Sequence, residues 1–346
     1  MNSLGVVLET ARRAEGLTQE QLATAVGITQ AALSRYENGM REPDEVTLIR
    51  LGDALNLTPS FLRQASRIRG AAAVEAHMRR RKTARPSEWR RLEARLNMHR
   101  LHARRVFDQI AIRADQRIPP FDPLELDAAS AALFLRMQWR MPSGPVRSLI
   151  RWIEAAGCVV IQEDFGTNGV DALSQWIDDI PIILLNVAAP TDRKRLTLAH
   201  ELAHLCLHSQ DVVEELESQA SAFAAEFLMP AETIRPQLRS PTLGRLLDLK
   251  REWQVSIQAL IERAWSLKTV TPARRTHLYK VMSAKGWRTR EPLSDELPPE
   301  IPSLPQEIGS ALLAGGLSRS EIAAVVGFAR SDTAHPFAPA QRLRAL

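Results

Sequence analysis

The segment Leu196-Thr-Leu-Ala-His200-Glu201-Leu-Ala-His204-Leu-Cys-Leu-His208 constrains the chain most, because it sets two histidines four residues apart in an apolar, helix-length run. Residues i and i+4 share one helix face, so both imidazoles can close on one metal ion. Glu201, adjacent to the first histidine, then reaches a water on that ion and can act as its general base. Arg195 to His208 supplies helix length, Pro190-Thr191 offers a start with Thr191 as its cap, and Leu196, Ala199, Leu202, Ala203, Leu205 and Leu207 form buried faces. A pair of satisfied core histidines is the structural alternative.

A zinc ion bound this way needs a third protein ligand and keeps its fourth position for water. Ser209 to Glu217 contains Asp211, Glu214, Glu215 and Glu217, and Ala220 to Met229 reads as a second apolar helix ending before Pro230. Glu217 is favoured, because it opens that helix and the Ala220, Phe223, Ala224, Phe227, Leu228 spacing packs it against the first. On spacing alone the other three carboxylates stay open, as does a solvated acidic turn. His208, one turn beyond His204, reads as a helix-end histidine more readily than as an oxyanion donor or a support for the ligands. Tyr36 and Tyr279 are the two tyrosines, and spacing does not say whether Tyr279 reaches the site as an oxyanion donor.

Two linked runs, Arg195-Leu-Thr-Leu-Ala-His-Glu-Leu-Ala-His and Glu217-Ser-Gln-Ala-Ser-Ala-Phe223-Ala-Ala-Glu-Phe-Leu228-Met229-Pro230, make the chain similar to the ImmA/IrrE family of metallopeptidases over about residues 145–292. Ile180 to Asn186 resembles the family's strand before the active-site helix, and Leu246 to Pro292 resembles its C-terminal helical part. The resemblance implies one Zn2+ per chain on His200, His204 and Glu217, with Glu201 as the catalytic base. It also implies a metalloendopeptidase whose substrate is a protein, typically another transcriptional regulator.

Near the N-terminus, Gly16 to Ile28 runs into Thr29 to Gly39 as helix, tight turn, helix. Thr18 and Thr29 are natural caps, Gly27 suits the turn, and Leu22, Ala23, Val26, Ile28, Ala32, Leu33 and Tyr36 form the core between the helices. With helices over Leu4–Ala14, Asp44–Leu55 and Thr58–Gln64, the stretch resembles the five-helix, lambda-repressor-like DNA-binding fold of the Xre family. The resemblance implies that the second helix of the pair enters the major groove of a double-stranded operator. Gln30, Ala31, Ser34 and Arg35 then face base edges from a helix that Thr29 starts, while Gln19 and Arg41 hold phosphates. A homodimer on DNA is expected. An all-helical protein-binding module is the alternative.

The net charge of +5 hides its distribution. Arg63 to Arg105 holds 14 Lys or Arg against 3 acidic residues, a local +11, so the remainder is acidic at about −6. Met78-Arg-Arg-Arg-Lys82 and Trp89-Arg-Arg91 could follow the phosphate backbone, or form an ordinary solvated helical linker. Cys158 and Cys206 sit in apolar runs without a CxxC pair, which reads as reduced core residues. No apolar segment approaches membrane-spanning length and the N-terminus begins a helix, so a cytoplasmic protein, nucleoid-associated when bound to DNA, is expected.

The expected fold class is mainly α and multidomain: the five-helix unit over 1–66, a basic helical linker region over 67–144, an α+β zincin-like domain with a small twisted sheet over 145–292, and a linker with a small helical segment over 293–346. Strands are predicted over Cys158–Ile161 and Ile180–Asn186. Gly316 to Phe328 echoes Gly16 to Ile28 position by position, but Ala329 to Pro336 lacks a recognition helix. Two functions compete: a DNA-bound regulator with a zinc endopeptidase that cuts a partner repressor in a mobile-element, toxin–antitoxin or stress-response circuit, and a non-catalytic repressor or antitoxin whose peptidase-like domain senses a ligand or binds a protein.

Overall fold

Helices dominate the computed structural model, which describes residues 3–63, 85–110, 114–177, 180–207 and 215–340. The chain forms two units, Met1–Arg113 with Ser303–Leu346 and Ala114–Pro302, so the second is an insertion in the first.

The first unit contains α1 (Ser3–Ala14), α2 (Gln19–Val26), α3 (Gln30–Glu37), α4 (Glu45–Leu55) and α5 (Pro59–Arg63), of which α2, α3 and α4 start at the capping side chains of Thr18, Thr29 and Asp44. The Gln21 N–H donates to Thr18 Oγ1 at 3.1 Å, and the Thr18 N–H donates to Gln21 Oε1 at 2.8 Å. Gly27 closes α2 at φ 73°, a left-handed conformation in which only glycine avoids a Cβ penalty. Thr29 caps α3 by accepting from the Ala32 N–H at 3.2 Å. Leu8, Leu22, Leu33, Leu51 and Phe61 fill the core.

A further helix, α6 (Pro86–Phe107), packs along α1 and buries Leu92, Leu96, Met98, His102 and Val106. The described part of the basic block is therefore a packing helix and not a solvated linker, with Arg85 and Arg90 exposed. Most of its arginines are half-buried, where aliphatic stems can lie along apolar surface. Met78-Arg-Arg-Arg-Lys82 lies outside the described residues.

The tail belongs to the same unit. In it, α15 (Leu304–Ala314) and α16 (Arg319–Val326) repeat α1 and α2 at an offset of about 300 residues, including a Ser318–Glu321 capping box and a left-handed Gly327. In place of a recognition helix, Phe328 forms a bridge with Leu57, and the Thr58 N–H donates to Gly327 O at 2.9 Å. A Cβ at Gly327 would lie 2.2 Å from the Phe61 ring, so glycine is required for this approach. His102 joins the pieces: its ring stacks between Phe61 at 4.5 Å and Phe328 at 4.3 Å, and its Nδ1 lies 2.8 Å from Val326 O. The two units thus cut the chain differently from the four segments read in the sequence, because α6, α15 and α16 complete the core beside α1 and α5.

The second unit contains a three-stranded sheet of β1 (Val159–Glu163), β2 (Ala172–Ile177) and β3 (Ile180–Asn186) in the order β1–β3–β2. The central strand β3 runs parallel to β1, with Val159 opposite Ile182, and antiparallel to β2, with Ala172 opposite Leu185. Val160, Ile183, Leu185 and Ala172 share a core with Leu198, Ala199 and Leu202 of α9 (Thr191–Leu207). Around this layer lie α7 (Ala128–Gln138), α8 (Leu149–Ala155), α10 (Leu216–Leu228), α11 (Ala231–Ile234), α12 (Leu243–Trp253), α13 (Ile257–Ser266) and α14 (Pro272–Ala284). Thr191 is the first residue of α9 and not its cap; the Pro190 carbonyl accepts from the Lys194 N–H at 2.9 Å. Cys158 and Cys206 are free, buried thiols, and burial pushes both pKa values up. Among the described residues no helix is long and apolar enough to cross a membrane.

His102 makes the first unit sensitive to acid. Burial, only partly offset by the Val326 carbonyl and reinforced by His99, His335 and Arg105, holds its pKa down to about 3. A base whose folded value lies below its unfolded value of about 6.5 binds fewer protons folded than unfolded. This contribution to stability is complete above about pH 6.5 and is lost as pH falls toward about 3. Urea midpoints measured between pH 4 and 7.5 are expected to rise with pH, and His102→Phe, which keeps a stacking ring but cannot protonate, should flatten that slope.

Candidate metal centre and nucleic-acid interface

In α9, four-residue spacing stacks His200 and His204 on one face, and α10 packs against it. Starting at Leu216, α10 places Glu217 in its first turn, where the helix dipole favours a carboxylate. The two Nε2 atoms are 3.2 Å apart, with His200 Nε2 3.4 Å from Glu217 Oε2 and His204 Nε2 3.5 Å from Glu217 Oε1. The imidazole planes cross at 77°.

These three separations test the fit to a metal. Donors at about 2.0–2.1 Å from a tetrahedral zinc ion lie about 3.3 Å from one another. The observed edges match three corners of such a tetrahedron, and the fourth is the position a water or substrate would take. Each Nε2–H can donate to one Glu217 oxygen, but at 3.4 and 3.5 Å those contacts are long, and the two nitrogens also face each other at 3.2 Å. A cation among them satisfies all three. Burial pushes the Glu217 carboxyl up, but hydrogen bonds and charge from His200 and His204 together hold it below the usual carboxylate range, in the ionised form that a ligand requires. Among the described residues, His200, His204 and Glu217 are the group of this kind.

Glu201 is buried beside them. Ser174 on β2 donates its hydroxyl to Glu201 Oε2 at 2.7 Å, and the Trp176 indole N–H donates to Leu205 O at 3.0 Å. Spacing carries no signal for Ser174, because the mixed Ala-Leu-Ser-Gln-Trp-Ile run shows no clean alternation. Of the other sequence candidates, Glu215 is exposed ahead of α10 and outside the cluster, while His208, Asp211 and Glu214 lie outside the described residues. Tyr279 is engaged elsewhere: its hydroxyl donates to Glu262, which also binds Arg275, and Arg288 lies over its ring at 4.5 Å. Burial and Glu262 push its phenol pKa up.

On α3, Gln30, Ala31 and Arg35 are exposed and Ser34 is half-buried, with Arg41 exposed beyond the helix and Thr29 exposed at its cap. The family resemblance puts Gln19 on a phosphate; in the structure its amide nitrogen and oxygen both have partners within the protein. A buried ion pair joins Arg12 Nε to Glu37 Oε1 at 2.6 Å and Arg12 Nη2 to Glu37 Oε2 at 2.8 Å. Gln19 donates to Glu37 Oε2 at 2.8 Å and accepts from Gln30 Nε2 at 2.7 Å. Gln30 is thereby oriented from the core outward before any ligand arrives.

Residues 8–62 match the family model described as helix-turn-helix, and residues 153–264 match the IrrE N-terminal-like domain. Three curated Bacillus subtilis proteins are similar to parts of the chain. The uncharacterized HTH-type transcriptional regulator YqaE is 40% identical over 55 residues, 16% of this chain and 47% of its own. The HTH-type transcriptional regulator ImmR is 38% identical over 60 residues, 17% of this chain and 47% of its own. The SPbeta prophage-derived uncharacterized regulator YonR is 36% identical over 58 residues, 17% of this chain and 54% of its own. The chain spans about half the length of the curated relatives it matches.

The donor geometry gives a direct expectation. The purified chain should take up about one zinc, and Glu217→Ala should weaken binding by about a hundredfold or more, since two imidazoles alone leave half the coordination to solvent. Competition against a chromophoric chelator measures this; equal affinities would remove Glu217 from the ligand set.

Proposed function

From a chain that joins a helix-turn-helix domain to an IrrE N-terminal-like domain, we propose a DNA-binding transcriptional regulator that also acts as a zinc-dependent endopeptidase. Its substrate is a protein, another regulator in a mobile-element, toxin–antitoxin or stress-response circuit. The observation that carries this reading is the tetrahedral fit of His200, His204 and Glu217 beside a buried Glu201. A metal-holding site without chemistry has no need of that second carboxylate.

When bound, zinc supplies a Lewis acid that polarises a carbonyl and acidifies water. His200, His204 and Glu217 would hold it through two imidazole nitrogens and a carboxylate oxygen. Glu201 takes a proton from the attacking water and passes it to the leaving amine, so no acyl-enzyme is needed. Among the described residues β2 pairs with β3 along one edge, and its other edge suits an extended peptide bound by main-chain hydrogen bonds. Gln30, Ala31, Ser34 and Arg35 read an operator in this proposal, with the chain binding as a homodimer in the cytoplasm. DNA binding would concentrate the endopeptidase near regulators bound to the same region.

A second reading is a non-catalytic repressor or antitoxin whose peptidase-like domain senses a ligand or binds a protein. It draws on the names of the matched relatives, all HTH-type transcriptional regulators. Glu201→Gln separates the two. Cells carrying this variant, with zinc content unchanged, should lose cleavage products that wild-type cells make; identical sets of protein termini would leave the regulator reading standing. For the DNA-binding part, Arg35→Ala should abolish operator preference while leaving salt-sensitive, non-specific binding. In a gel-shift series across salt concentrations, equal loss of both modes would mean that α3 is not the reading helix.

A further inference from the structure

We propose that Ser174 is a positioning residue for Glu201: its hydroxyl, donated to one carboxylate oxygen, holds the general base in a single rotamer during proton transfer. The inference rests on the endopeptidase reading and deepens it. A glutamate side chain has three rotatable bonds, and a general base works only within hydrogen-bond reach of the proton it takes. A hydrogen bond to one carboxylate oxygen narrows the rotamers the side chain samples.

Ser174 and Glu201 are each 7% exposed, and the 2.7 Å separation between Oγ and Oε2 is that of a charge-assisted hydrogen bond. The same hydroxyl lies 3.4 Å from the Glu201 carbonyl oxygen, so the shorter contact to the carboxylate takes its one hydrogen. Strand and helix repeats explain why the alignment is specific. Positions two apart on a strand share a face and stand about 6.8 Å apart. Positions four apart on a helix share a face and rise about 6.0 Å. Ser174 and Trp176 therefore meet Glu201 and Leu205 as a matched pair of contacts, riveting β2 alongside α9. A one-residue slip of β2 would turn both side chains to the opposite face and place Gln175 there instead.

The chemistry balances without further components. The amide C–N bond breaks, a C–O bond forms from water, and one water proton travels through Glu201 to the amine. Ser174 keeps its own hydrogen throughout, so it needs no base.

The test uses the full-length, zinc-loaded chain as wild type, Ser174→Ala, Ser174→Thr and Glu201→Gln. Zinc per chain, thermal midpoint, affinity for acetohydroxamate and abundance of cleaved protein termini in cells are read for each. Acetohydroxamate is the probe because its proton passes to the neighbouring carboxylate as it chelates. Ser174→Ala is expected to keep one zinc per chain but to lose about tenfold in hydroxamate affinity and in cleavage, the scale of a hydrogen bond to a charged group. Ser174→Thr, which restores the hydroxyl, should recover both to within about threefold. If Glu201→Gln loses cleavage while Ser174→Ala matches wild type, the positioning role is wrong and the endopeptidase reading survives. If Ser174→Ala loses zinc, or Ser174→Thr fails to rescue a folded protein, Ser174 shapes the site and does not position the base. If Glu201→Gln cleaves like wild type, the endopeptidase reading fails and the role of Ser174 with it.

Discussion

Arg195 and Glu300 form a buried ion pair on which the placement of α9 depends. The guanidinium also donates to the Gln254 carbonyl at 3.0 Å and to the Val146 carbonyl, while Glu300 accepts the Leu149 and Ile150 N–H groups at 3.0 Å each. One pair therefore ties α9 to the start of α8, to the turn between α12 and α13, and to the end of the second unit. Separating two such charges costs about 3–5 kcal/mol, because whichever partner remains is buried without compensation. Lys250, also fully buried, repeats the device with Asp192 and Glu291, at 2.8 Å from the latter. Both anchors grip the N-terminal half of α9 or the elements around it, and the helix then carries His200, Glu201 and His204 rigidly into place.

Buried charge orients the functional groups as well as the framework. Arg12 and Glu37 hold Gln19, and Gln19 holds Gln30 on the exposed face of α3. Ser174 holds Glu201 from the neighbouring strand. In each case a side chain suited to contact a ligand is fixed by a polar group on a neighbouring element. Ordering it beforehand lowers the entropy lost on binding. Glu217 differs in being tied to the histidines themselves, so the three candidate ligands define one another's positions.

Much of both units was legible in the sequence, for local reasons. Capping residues and left-handed glycines act within a few positions, which is why Thr18, Gly27 and Thr29 predict the ends of α2 and the start of α3. A four-residue histidine spacing is likewise a local statement about one helix face. The mixed strand β2 escaped because its polar Ser174 and Gln175 are buried on opposite faces, hiding the alternation that marks a strand. In α6 the arginines flanking a buried stripe made a packing helix resemble a solvated one. The echo of α2 in α16 was visible as sequence, but nothing in it revealed that Phe328 and Gly327 would close onto Leu57 and Phe61.

The sequence by itself determined the helices, the helix-turn-helix, the pair of histidines with Glu201 between them, and a short set of acidic candidates for a third ligand. These follow from periodicity and capping, which involve neighbours along the chain. Tertiary structure decided that Glu217 meets both imidazoles, that Ser174 reaches Glu201, that Gln19 serves Gln30, and that the tail completes the first unit. Each of those joins residues 11 to about 270 positions apart. Such contacts are set by how apolar faces pack and where buried charges find partners, and neither is written in the spacing of a single segment.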